Sequence, residues 1–117
     1  MIVRNINDKV VVDSTFIAHG GGIARMLLDY RVLKEIGFLA FGILPPGKKI
    51  EAHIDPVEEI YFILSGSTEI QVDEEKRVVG PGDATHIPAG SPHSLVNHGE
   101  EDCITLVIAA PIPRTAL

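Results

Sequence analysis

The sequence predicts an all-β sandwich or barrel. Three observations carry that expectation. The apolar runs are short, Gly or Pro turns punctuate them at close intervals, and at most one stretch has helical spacing. Eleven glycines and eight prolines in 117 residues supply those turns. The length suits one domain spanning 1–117, since domains cluster near about 100–150 residues. Hydrophobic residues at 45% and charged residues at 22% match ordinary globular proteins, which argues against disorder.

Val10-Val11-Val12 opens the series of apolar runs, and His19-Gly20-Gly21-Gly22 follows as a flexible loop. Ile23 to Ile36 has two readings. Met26, Tyr30, Leu33 and Gly37 have helical spacing with Gly37 as a C-cap, whereas the same stretch also reads as two strands broken near Asp29–Arg31. The strand-rich surroundings favour the second. Phe38 to Leu44 is apolar throughout and reads as a buried strand ended by Pro45-Pro46-Gly47. Ile50 to His53 is short, and Glu59 to Leu64 is a strong strand. Ser65-Gly66-Ser67 turns the chain into Thr68 to Val72, which alternates, and Asp73 to Lys76 forms a charged hairpin tip. Val78-Val79 leads to the turn Gly80–Asp83. Ala84 to Ile87 is a further strand, ended by Pro88-Ala89-Gly90. His93 to Val96 and Cys103 to Ala109 complete the strands, and Pro111 and Pro113 mark an extended tail. Such a fold must manage its edge strands, by closing into a barrel or jelly roll or by dimerising through an edge.

The charge balance excludes several partners. A net charge of −6 lacks the basic footprint of a nucleic-acid or anionic-lipid binder. No apolar run approaches the ~20 residues that span a membrane, and the first residues do not read as a signal peptide. Cys103 is the single cysteine, so an internal disulfide is impossible, which fits a reducing cytoplasm. It reads as a small buried hydrophobe on a strand.

The chemistry concentrates in the histidines, of which there are five. His53 and Asp55 are two apart, so on one strand they face the same side. Pro56 turns the chain, and Glu59 opens the next strand, where its carboxylate can face back inward. His93 starts a later strand after a Pro/Gly-rich turn. Imidazole nitrogen and carboxylate oxygen together suit divalent Zn, Mn, Fe, Co or Ni. By spacing alone, the plain alternative is strand-end histidines, a turn aspartate and a solvent-facing glutamate.

These residues resemble a known family. Gly47, His53, Asp55, Glu59 and Gly66 follow the first motif of the cupin superfamily, G-x5-H-x-H-x3/4-E-x6-G. Every spacing is kept, and Asp55 stands where a second histidine is usual. Gly82, Pro88, Gly90, His93 and Asn97 match the second motif, G-x5-P-x-G-x2-H-x3-N, in full. The motifs occupy 47–66 and 82–97, with fifteen residues between them, Ser67 to Pro81. The resemblance implies a double-stranded β-helix, or jelly-roll cupin barrel, in a homodimer, with ligands pointing into its mouth. It implies His53, Glu59 and His93 as ligands of one divalent transition metal (Mn, Fe, Ni, Co or Zn), with Asp55 taking the fourth position. Two histidines with carboxylates form a hard donor set, which tilts towards Mn or Fe(II). Glu59 and Asp55 are also the candidate catalytic acid–base residues.

The remaining motif residues have structural reasons. Gly47, Gly66, Gly82 and Gly90 fall where positive φ is expected, Pro88 fixes the entry to a turn, and Asn97 can tie down a turn through its amide. Tyr61 shares strand parity with Glu59 and points inward, as a core aromatic or a substrate contact. His86 is a candidate lining residue, His98 a surface-loop residue, and His19 a candidate cover for the mouth. Arg25 and Arg114 are candidates for a substrate carboxylate. The fold alone does not fix function. The expected activity is that of a small cytoplasmic metalloenzyme on a small organic molecule, of dioxygenase or isomerase/decarboxylase type. The alternatives are a non-catalytic small-molecule or sugar-binding sensor module, and a barrel whose site has decayed. A 2-oxoglutarate oxygenase triad of His53, Asp55 and His93 is disfavoured, because no basic residue evidently serves the co-substrate's far carboxylate.

Overall fold

Residues 1–112 are described by a computed structural model of the chain. Among them ten strands form two antiparallel sheets: β1 (Phe16–Ala18), β2 (Gly22–Leu28), β3 (Phe38–Leu44), β4 (Lys49–His53), β5 (Glu59–Ser65), β6 (Thr68–Val72), β7 (Glu75–Val79), β8 (Ala84–Ile87), β9 (His93–Val96) and β10 (Cys103–Ala109). One sheet has the order β1-β2-β3-β10-β5-β8 and the other β4-β9-β6-β7. The interleaved order, with β10 between β3 and β5 and β9 between β4 and β6, is that of a jelly roll. No helix among the described residues is long and apolar enough to cross a membrane.

Strand alternation sets the inside. On β5, Glu59, Tyr61 and Ile63 are buried while Ile60 and Leu64 are exposed. Ile63 packs with Leu44, Ile70, Ile87, Leu95 and Cys103 between the sheets. Full burial of each large aliphatic among them stabilises the fold by about 1.5–3 kcal/mol. Cys103 is a fully buried free thiol in that core.

Two stretches depart from the sequence expectation. The first apolar run forms a helical turn, α1 (Lys9–Val12), in place of a strand. The Asp8 carbonyl accepts from the N–H groups of Val11 and Val12 at 2.9 and 2.8 Å. The hydroxyls of Ser14 and Thr15 donate to the Val11 and Val12 carbonyls at 2.6 Å each. These local bonds, with Val11 completely buried, outweigh the strand preference of three valines. The second is the stretch Ile23 to Ile36. Its first half is strand β2, but its second half is an irregular loop with neither strand nor helix. Asp29 makes the turn: its carbonyl accepts from Val32 and Leu33 at 2.9 and 2.8 Å, and its carboxylate accepts from the Arg31 N–H at 3.1 Å and Nε at 2.9 Å. Gly37 is therefore no helix cap. It runs against the chain after β10, where its N–H donates to the Ala109 carbonyl at 2.9 Å.

The turns follow the motif residues. Gly47, Gly66, Gly82 and Gly90 have φ of 75°, 72°, 87° and 81°. Asn97 is fully buried. Its amide donates to the carbonyls of Leu44 and Glu101 at 2.8 Å each, and its carbonyl accepts from the Gly99 N–H at 2.8 Å. One side chain thereby joins the end of β3 to the β9–β10 connection. A second link closes one side of the barrel. In the β1–β2 turn the His19 carbonyl accepts from the Glu51 N–H of β4 at 2.8 Å. The approach is so close that a Cβ on Gly21 would lie 2.3 Å from the Lys49 carbonyl oxygen. The edges of the two sheets are stitched at that point.

Candidate metal centre

The two sheets bring four side chains together at one end of the barrel. His53 ends β4 and His93 begins β9, and they are register partners. Glu59 begins β5 in the other sheet. Asp55 sits in the β4–β5 connection, which the Gly90 N–H holds by donating to the Asp55 carbonyl at 2.9 Å. Asp55 Oδ2 lies 3.3 Å from both His53 Nε2 and His93 Nε2. Glu59 Oε1 lies 3.5 Å from His93 Nε2. His53, Asp55 and His93 present ligand atoms all within 4.8 Å of one another.

Each imidazole is oriented by a backbone carbonyl. His53 Nδ1 is 2.8 Å from the Glu51 oxygen, and His93 Nδ1 is 3.0 Å from the Ser91 oxygen. A carbonyl only accepts, so each Nδ1 carries the hydrogen and each Nε2 presents its lone pair to the cluster. His93 Nε2 and Glu59 Oε1 are both buried and have no hydrogen-bond partner. Buried lone pairs that face one another are costly unless something positive lies among them. The donor set therefore fits a divalent cation: two neutral imidazoles and carboxylate oxygen, with the imidazole hydrogens already committed elsewhere.

The two carboxyl groups are driven apart in acidity. Burial pushes Glu59 up to about 8, helped by its hydrogen bond to Asp55 and by that neighbour's charge. Asp55 is also penalised by burial, but the Glu59 hydrogen bond and the nearby His53, His93 and His19 outweigh this and hold it below its ordinary value. Without a cation, Asp55 is the ionised partner and Glu59 keeps the proton near neutrality. Burial also lowers His93 and His19 and raises the Tyr61 phenol, so Tyr61 stays neutral.

These shifts fix a pH dependence for metal-free protein. Unfolding returns Glu59 to its ordinary 4.5. Its contribution to stability is complete below that value and is lost as pH rises towards about 8. His93 and His19, held below 6.5, act in the opposite sense and only beneath that value. From pH 6.5 to 8 Glu59 therefore acts alone. Urea denaturation of chelator-treated protein is expected to show a loss of about 2 kcal/mol across that window, and Glu59→Gln flattens it. The same slope in both proteins would refute the assignment.

His19 joins the centre by a route the motifs do not mark. Its ring stacks on that of His53, with centroids 3.5 Å apart and planes 9° from parallel. Its backbone is in the left-handed region, φ 45°. Tyr61 meets His93 edge-on at 6.0 Å. Other candidates lie elsewhere. His86 pairs with Ile60 on the outward face of β8 and binds the Glu58 carboxylate at 2.6 Å, with both side chains more than half exposed. It does not line the cavity at the cluster, because its register partner points outward. His98 is exposed, 3.6 Å from Glu69. Arg25 donates to the Ile6 carbonyl at 3.0 Å, away from the cluster. Arg114 lies outside the described residues.

The cluster opens into a cavity of about 1240 Å³. Its walls are mostly apolar, with Ala24, Met26, Phe38, Ala40, Ile50 and Val107 among them. The β2 wall and the loop after it supply much of this lining, which the sequence motifs do not reach.

Comparison with known proteins agrees with this architecture. An uncharacterized protein of Methanocaldococcus jannaschii is 36% identical over 84% of this chain and 78% of its own length. Polyketide synthase CurC of Streptomyces cyaneus is 27% identical over 84% of this chain and 65% of its own. A Cupin 2 conserved barrel domain protein from Salinispora arenicola superposes with a TM-score of 0.77 at 20% identity, over 94% of this chain and 88% of that one. Residues 40–109 match the Cupin_2 family of cupin domains. The chain belongs to that family.

Proposed function

We propose that this protein is a metal-dependent enzyme that moves a proton on a small organic molecule, an isomerase-type activity. The observation that supports it is the pair of adjoining carboxyls, Asp55 and Glu59, which burial and the neighbouring imidazoles drive apart in acidity, beside two oriented Nε2 lone pairs at the end of an open cavity. Two titratable groups pushed apart by their surroundings are a common basis for acid–base work. In this reading His53, Asp55 and His93, whose ligand atoms all lie within 4.8 Å of one another, would hold the cation, with the Glu59 carboxyl beside them at 3.5 Å from His93 Nε2. A divalent cation there supplies the charge that polarises a substrate carbonyl or enol oxygen. Glu59 holds and returns the proton at its carboxyl. Glu59 and Tyr61 are both buried on the inner face of β5. A dioxygenase would leave the proton on Glu59 without a use. The kinship with a protein named as a polyketide synthase supports an enzyme over a passive binder.

The test has two stages. Elemental analysis of protein purified without a histidine tag or chelator is expected to find near-stoichiometric Mn, Fe, Co, Ni or Zn, absent from a His53→Ala/His93→Ala double variant. Loaded protein is then incubated with a panel of ketones and enols in D2O, and proton NMR follows exchange next to the carbonyl. Metal-free wild type that takes up no added ion sinks the reading, as does loaded protein that exchanges nothing.

A further inference from the structure

The size and charge of the cavity restrict what can enter it. At about 1240 Å³ it exceeds the range of about 300–1,000 Å³ usual for small-molecule sites. A two- to six-carbon acid or a single sugar would leave most of it unfilled. His53, Asp55 and Glu59 line it at the cluster, and Ala24, Met26, Phe38, Ala40 and Val107 supply apolar wall. Three carboxylates line it, Asp29, Asp55 and Glu59, against one lysine, Lys34, among the described residues. Asp29 is occupied by Arg31 at 2.9 Å. No arginine is among the described lining residues, so nothing there is placed to pair an anionic substrate in the usual bidentate way.

The mouth has the same character. Phe16, Tyr30, Ile36 and Ile112 all line the cavity opening and are 43%, 84%, 52% and 49% exposed. Large apolar side chains gathered around one opening mark a binding surface more than a random scatter does. They lengthen the apolar channel outward from the cluster.

We propose that the substrate of this site is a neutral, multi-ring or long-chain apolar molecule carrying one oxygen function at the end that reaches His53, Asp55 and His93. This rests on the cavity being the site of the proposed enzyme, but its test needs neither metal nor turnover. Two dyes share one ring system and differ in charge: neutral N-phenyl-1-naphthylamine and its anionic relative 8-anilinonaphthalene-1-sulfonate. Fluorescence titration of the full chain is expected to give one site for the neutral dye, at least about tenfold tighter than for the sulfonate.

Val107→Phe and Ala24→Phe fill the cavity from two different walls. Each is expected to weaken the neutral dye by at least about tenfold, with circular dichroism reporting the fold. The comparison of the two dyes on wild type needs no variant. A sulfonate that binds as tightly as the neutral dye, a neutral dye that does not bind, or binding untouched in both folded wall variants overturns the inference. Metal-loaded protein that rejects the neutral dye overturns this inference alone. Dye-binding protein that takes up no metal overturns the proton-transfer reading alone.

Discussion

Asp55→Asn is expected to lower the affinity for a divalent cation by about 100-fold or more, since even indirect partners of metal ligands are worth about 10–100-fold. Asp55 Oδ2 is the one oxygen equidistant, at 3.3 Å, from both Nε2 atoms, and asparagine removes the charge while keeping the shape. Asp55→His restores the three-histidine pattern of the family's first motif. It is expected to retain metal but shift preference from Mn and Fe(II) towards Zn, Co or Ni, because imidazole suits the later ions better. Glu59→Gln is the contrasting case. It keeps the metal within about tenfold and abolishes the proton exchange. Isothermal titration with Mn²⁺ and Zn²⁺ on all three variants decides the matter. Should Glu59→Gln lose metal as completely as Asp55→Asn, Glu59 is a fourth ligand and the proton carrier lies elsewhere.

Asn97→Ala has the largest expected effect on the fold. It strands the carbonyls of Leu44 and Glu101 and the N–H of Gly99 at a position with no solvent exposure. The lost bond to the buried Leu44 carbonyl costs about 1 kcal/mol or more, while the Glu101 carbonyl and the Gly99 N–H, on exposed residues, can turn to water and cost less, so the total is about 2 kcal/mol. In a domain of this size that lowers Tm by about 10 °C. Asn97→Asp separates the two halves of the amide. It keeps the acceptor for Gly99 but sets a carboxylate oxygen against two carbonyls, and is expected to be no better than alanine. Thermal melts of the two variants check this, and an aspartate that restores most of the stability would show that the two donated bonds contribute little.

Much of this centre could be read from spacing. A strand fixes that residues two apart share a face, so Glu59, Tyr61 and Ile63 were bound to share the inside of β5, whereas Asp55 lies just past the end of β4 and meets His53 because the Gly90 N–H holds that connection in place. The positive φ of the motif glycines follows from turns between short strands. What escaped depends on distant pairing. His86 was read on a strand, which is right, but its face is set by its register with Ile60 of β5. His19 reaches His53 through a turn whose path depends on how the two sheets close, which no local pattern encodes. The cavity wall from β2 depends on its long-range pairing with β3, which sets Ala24 opposite Gly42 and Met26 opposite Ala40. The loop after β2 fits neither the favoured second strand nor the helical spacing of Met26, Tyr30 and Leu33, because the Asp29 turn breaks both. The Val10–Val12 run is the same lesson in reverse, with two hydroxyls and one buried valine overriding three β-formers.

The stitch between the β1–β2 turn and β4 has a consequence for handling the protein. The residue whose carbonyl fastens that seam, His19, also lays its ring on His53. A cation that fixes His53 thereby steadies the stack and the seam, and the linkage runs equally in the other direction. The ion would act as a rivet in the barrel wall as well as a reagent. Protein stripped by a chelator would then be loosened along the β1–β2 edge while its core stays intact.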